Sequence, residues 1–222
     1  GEARALQCFH AVDHPSVAVK ILFKLARRQL YDFNRPAETL QLWESFNSTK
    51  KEWLWSAQNS FWEYMGLLFD AYTRVGTAQT AEAFAQSLLD DPATPPEGLA
   101  YVGIPYSQWL VQERRMQDAY NLFDRLIKAV PNHRLCAYAY YWKALAAYNE
   151  SDLKTMENYV GCWRRAHGNS TGLLCEWDLN AKALLLLAGL DVDQVAAQVE
   201  GYTPTRLHFL RTAIIRELGM LS

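Results

Sequence analysis

Much of what narrows the reading of this chain is what it lacks. Among 222 residues there are only 4 cysteines, 8 prolines and 11 glycines. Cys8, Cys136, Cys162 and Cys175 form no C-x-x-C pair, and four thiols in a chain this long do not make a disulfide scaffold. They read as free thiols buried on helices. The longest apolar run, ALLLLAGL at 183–190, is far short of the ~20 residues that a membrane helix needs, so no membrane span is expected. Neither charge sign dominates: 22 Lys and Arg face 24 Asp and Glu, for a net charge of −2. A protein built on nucleic-acid phosphates needs a broad basic excess, so nucleic acid is excluded as the expected partner. Alternating runs of Val, Ile and Thr are missing as well, and with them any strand signal.

Chemical motifs are equally scarce. There is no Gly-rich phosphate loop, no HExxH and no GxSxG. The densest group of ligand-type side chains is Cys8, His10, Asp13 and His14. His10 and His14 have the four-residue spacing of two zinc ligands on a helix. His14, however, precedes Pro15, which biases it out of the helical region. His133 and His167 fall at helix ends, where His is ordinary. Carboxylates are scattered without pairing, so the sequence assigns no catalytic residue, no metal and no cofactor. The doublets Arg27-Arg28, Lys50-Lys51, Arg114-Arg115 and Arg164-Arg165 mostly fall in the last turns of helices, where cations complement the dipole. Asn47, Asn149 and Asn169 open N-x-S/T sequons that read as capping loops before helices.

What is present is a helical composition, rich in Ala, Leu, Gln and Glu, with dense punctuation. Pro15-Ser16 precedes VAVKILFKLARRQL, and Asn34-Arg35-Pro36 opens a second helix. Ser60-x-x-Glu63 and Thr94-Pro95-Pro96-Glu97 read as capping boxes, and Gly76 as a stop. Ser151, Asp191 and Thr203 read as caps of later helices. The count is about ten to twelve helices with short turns. One segment breaks the pattern: YVGIPYSQWL at 101–110 places Gly103 and Pro105 inside a helix. The expectation is a break or kink at 102–105 that splits 95–113 in two.

The stretch AYNLFDRLIKAVP at 119–131 carries a more specific pattern. Ala119 and Phe123 share a helix face, and Pro131 stops the helix. Phe84 stands at the same distance before Pro92, and upstream lies Trp62-x-x-Met65-Gly66-x-x-Phe69. These residues resemble the tetratricopeptide repeat, with its Trp-x-x-Leu-Gly-x-x-Tyr first helix and its Ala-x-x-x-Phe and Pro in the second. Spacings near the family's ~34 residues recur, and the remaining repeats are degenerate. Residues 2–14 read as the second helix of an earlier repeat.

That resemblance implies an all-α fold: a right-handed α-solenoid of stacked antiparallel helix hairpins, one domain over 1–222 or a piece of a longer repeat protein. It implies a non-catalytic scaffold that takes a peptide or partner helix in a groove lined by first helices. The expected partner-binding residues are Tyr101, Gln108, Tyr138, Tyr141 and Trp142, with at least one aromatic of helix 134–149 meeting the groove. The Lys and Asn pattern by which some tetratricopeptide domains grip a chaperone's terminal carboxylate is absent, since Lys20 is followed by Lys24 and Lys143 by Ala147. Two other classes remain open: an aromatic-lined carbohydrate-binding module, and a helical-repeat enzyme. Most of the eight Trp read as core. The chain opens at Gly1-Glu2 without Met, pointing to a trimmed or mature form. A cytoplasmic location is favoured, with a periplasmic or secreted one if a signal peptide was removed. Self-association is open.

Overall fold

The computed structural model describes residues 11, 14–50, 58–167, 179–198 and 202–221. Among these are eleven α-helices, one π-helical turn and no strand. The chain divides into two compact units, residues 1–109 and 110–222.

In the first unit, α1 (Pro15–Arg27) begins on a proline and runs into the π turn Arg28–Asp32. α2 spans Pro36–Lys50, α3 Gln58–Val75, α4 Ala78–Leu89 and α5 Pro96–Gln112, which continues past the unit boundary. α3 is the centre of this unit and packs against α1, α2 and α4. The reason is its composition. Phe61, Trp62, Tyr64, Met65, Leu67, Leu68 and Phe69 are all buried, so the helix is apolar on most of its circumference and must be covered on most sides. The Thr77 hydroxyl caps α4 by accepting from the Thr80 N–H at 3.2 Å.

The second unit contains α6 (Met116–Ala129), α7 (Cys136–Asn149), α8 (Leu153–His167), α9 (Leu179–Leu187), α10 (Val192–Ala196) and α11 (Pro204–Leu218). α7 is the central helix here, packed against α6, α8 and α11. Ala119 and Phe123 are fully buried on α6, which ends before Pro131. Asp191 caps α10, and Thr203 caps α11, as their positions suggest.

Several local expectations are corrected. α5 is not split: it runs without interruption from Pro96 to Gln112, with Pro105 inside. Proline at 105 cannot donate to the Tyr101 carbonyl four residues back. In this structure that carbonyl faces Gly66 of α3, so closely that a Cβ there would collide with it, and the Pro105 ring lies beside the same glycine. A partner helix brought to backbone contact covers the flaw, and the helix continues. Ser60 does not cap α3, because that helix starts two residues earlier at Gln58. The Thr94 hydroxyl turns back to donate to the Leu88 carbonyl at 2.6 Å instead of opening α5. Asp152, not Ser151, caps α8, accepting from the Thr155 N–H at 3.0 Å, while Ser151 takes a positive φ of 60° in the turn. Asn47 lies within α2 rather than in a loop. The helix read over 2–14, the Cys8, His10 and Asp13 cluster, Asn169, Cys175 and Trp177 lie outside the described residues.

Candidate partner-binding faces

Each unit keeps one half-buried stripe on an otherwise buried helix. On α5, Tyr101, Pro105 and Gln108 are half-buried and Gln112 is exposed, at the i, i+4, i+7, i+11 spacing of one helix face. The flanks and far side of the helix, at Val102, Ile104, Tyr106 and Leu110, are buried. Two close approaches fix α5 against α3. One is the Gly66 contact with Tyr101. The other is at Gly98, where a Cβ would lie 2.7 Å from the Trp62 indole. Tyr106 adds a polar tie to α4, its hydroxyl donating to Glu82 Oε1 at 2.7 Å.

In the second unit the stripe belongs to α7. Of its five aromatics, Tyr138 and Tyr148 are half-buried, while Tyr140, Tyr141 and Trp142 are buried. Tyr141 is 2% exposed and Trp142 3% exposed, so these two expected partner-binding residues stand in the core of their unit. The cause is the number of helices around α7, which leaves Tyr138, Lys143, Ala146 and Tyr148 half-buried and the end of the helix at Asn149 exposed. Lys143 is anchored there by an ion pair with Asp124 at 2.6 Å and lies 5.2 Å from the centre of the Tyr120 ring. The Tyr120 hydroxyl donates to the Trp142 carbonyl at 3.3 Å. Tyr138 sits edge-on to Phe123 and Trp142. Burial pushes its phenol upward. The nearby Trp142 indole N–H draws it partly back, without reaching normal hydrogen-bond geometry, and the Glu217 charge raises it further.

Behind that face lies a group that sequence reasoning missed. Lys182 of α9, only 7% exposed, donates to both carboxylate oxygens of Glu217 on α11, at 3.0 and 3.1 Å, and to the Tyr141 hydroxyl at 3.1 Å. The Tyr141 hydroxyl in turn donates to Glu217. The Tyr141 ring packs edge-on against Trp163, with centroids 5.1 Å apart. The three partners come from positions 141, 182 and 217, far too separated for any spacing motif to reveal. The local hint is a single lysine inside the apolar segment LNAKALLLL.

A Tyr, Lys and Glu in contact could in principle move protons. Here burial first, then the Glu217 charge and hydrogen bond, push the Tyr141 phenol well above its ordinary value. It is held neutral, which is the reverse of what a base or nucleophile needs. The lysine is buried and paired with the carboxylate, and the Glu217 side chain is largely covered, with 18% of its surface exposed. The arrangement ties α9 and α11 to α7.

No family model matches this chain, and comparison with curated proteins and with solved structures gives no match. Its function therefore rests on its own geometry. The Cys136 thiol is buried on α7 and pushed up to about 12 by burial, a structural thiol rather than a reactive one. Among the described residues no helix is long and apolar enough to cross a membrane.

Proposed function

We propose that the chain is a non-catalytic interaction scaffold, a right-handed solenoid of helix hairpins in the tetratricopeptide manner, which takes up a peptide or partner helix on its first helices. The observation that carries this is the pair of stripes. α5 and α7 are both nearly enclosed, yet α5 retains a narrow face of Tyr101, Gln108 and Gln112, and α7 retains half-buried Tyr138 beside Lys143. Tyr101 and Gln108 serve the first unit, and Tyr138 the second. Each Tyr offers an apolar body with a polar tip, the character that peptide-binding faces use. Tyr141 and Trp142 act from behind, by holding α7 so that Tyr138 keeps its direction.

The carbohydrate alternative needs open indole faces. Trp62, Trp142 and Trp163 are buried, while half-buried Trp109 stacks on Tyr106 at 6.0 Å between centroids. These observations favour a protein partner over a glycan. The direct test places a photo-crosslinking phenylalanine analogue at Tyr101, Gln108 or Tyr138, and separately at exposed Lys128 on α6. The proposal expects one common partner band from the first three positions and none from Lys128. Equal labelling from all four, or labelling from Lys128 alone, contradicts it.

A further inference from the structure

A different surface of the first unit has an unbalanced charge. From Pro15 to Arg28 the sequence holds four cations, Lys20, Lys24, Arg27 and Arg28, and no acid. All four are exposed. Lys20, Lys24 and Arg27 recur at the spacing of one helix face, so they form a stripe along α1, whose apolar side, through Leu22 and Leu25, is buried. Among the described residues these three make no ion pair. The helix dipole accounts for Lys24 and Arg27 in the last turn, but not for Lys20 in the middle of the helix.

The π turn extends this stripe. Its wide hydrogen bond, from the Phe33 N–H to the Arg28 carbonyl at 3.0 Å, adds a residue to the turn and brings Phe33 beside Arg28. Tyr31 is 51% exposed and Phe33 44% exposed, an unusual state for two neighbouring aromatics. The guanidinium carbons of Arg28 and Arg35 lie 5.4 and 5.7 Å from the Phe33 ring centre, and that of Arg74 lies 5.3 Å from the Tyr31 ring centre. Arg28 has only a loose 3.7 Å approach to Asp32, with both side chains well exposed. Arg74 is already held by Asp70, its Nε and Nη2 donating to the two carboxylate oxygens at 3.2 and 3.0 Å. Stacking orients the Arg28 and Arg35 guanidinium groups and leaves their N–H edges to meet an anion.

We propose that this face, from Lys20 to Arg35, is a second docking surface whose occupant is an acidic, Glu/Asp-rich segment of a partner protein. Charge complementarity argues for it: the stripe is strongly positive on a chain whose net charge is −2. Two other polyanions fit less well. Single-stranded nucleic acid needs open aromatic faces for base stacking, and these ring faces are taken by arginine. A membrane surface needs an apolar wedge; the apolar side of α1 is buried within its unit, and the exposed Phe33 and Tyr31 rings are covered by guanidinium groups, which hinders their insertion. The surface is independent of the α5 and α7 stripes.

The test is fluorescence anisotropy of the whole chain with a fluorescein-labelled peptide of alternating Glu and Ala. Binding should weaken roughly tenfold as salt rises from about 50 to about 300 mM. Lys24→Glu with Arg27→Glu should weaken it at least tenfold with unchanged helical circular dichroism. Arg211→Glu with Arg216→Glu on α11 makes the same change in net charge and should shift binding by no more than about twofold, as should Tyr138→Ala. Equal losses from the two Arg/Lys pairs would reduce the effect to net charge and overturn the proposal. It is overturned too if the peptide does not bind, or if labelled oligo(dT) or phosphatidylserine vesicles bind this stripe more tightly than the peptide.

Discussion

The two units solve the same problem by different means. Each surrounds one central helix, α3 in the first and α7 in the second. The first brings helices to backbone contact by omitting side chains: Gly66 meets the Tyr101 carbonyl and Gly98 meets the Trp62 indole. The second fills its space with large rings and closes it with the buried group Tyr141, Lys182 and Glu217. The contrast shows where each unit is fragile. Added volume should break the first, and lost charge balance should break the second.

The largest effect is expected at Lys182. Lys182→Ala strands the Glu217 carboxylate; losing one partner of a fully buried ion pair costs about 3–5 kcal/mol, and because the Glu217 side chain keeps 18% exposure the lower end, about 3 kcal/mol, is expected. The urea midpoint should fall accordingly. Lys182→Met combined with Glu217→Met removes both charges and should recover at least half of that loss. If the single and double variants are equally unstable, packing rather than charge holds α9 and α11.

Next in size is Gly66→Ala. A Cβ there meets a backbone carbonyl, which cannot rotate away, so overpacking should outweigh alanine's helix propensity and cost roughly 2–3 kcal/mol. Gly98→Ala meets the ring of buried Trp62, a side chain rather than backbone, and should cost about 1–2 kcal/mol. Equal losses at the two glycines would mean that the Tyr101 contact has no special rigidity.

Alkaline pH should affect both units. Burial raises the phenols of Tyr64 in the first unit and of Tyr141 in the second from an ordinary value near 10. A raised acid stays protonated in the folded chain while the unfolded chain ionises. Stability is therefore unaffected below pH 10 and falls as pH rises beyond it. Melting temperature should decline above that point, and absorbance near 295 nm should show a fraction of tyrosines that ionise only on unfolding. A smooth titration of all twelve phenols while the chain is still folded would contradict the burial of both tyrosines.

Local pattern made much of this legible. The Ala119, Phe123 and Pro131 pattern found a real helix and its end, and the Asp191 and Thr203 caps stand where their chemistry suggests. Pro105 misled because a proline's effect depends on what packs beside it, and Gly66 is 39 positions away in sequence. The π turn left no periodic signal. That Tyr101 and Gln108 share one half-buried face of α5 follows from helix phase. That Tyr141 and Trp142 turn inward depends on how many helices surround α7, and Lys182 and Glu217 on pairing between distant segments.

The smallest effect on stability and the largest on function are expected from the stripes. Tyr101→Ala, Gln108→Ala and Tyr138→Ala remove half-buried surface and should together cost no more than about 2 kcal/mol. The most direct test of the scaffold reading is quantitative capture from native lysate by the parent chain and by this triple variant, with helical circular dichroism matched. The account predicts a reproducible partner captured by the parent and reduced at least tenfold by the variant. Undiminished capture by the folded variant, or no protein captured while a glycan quenches tryptophan fluorescence, would contradict it.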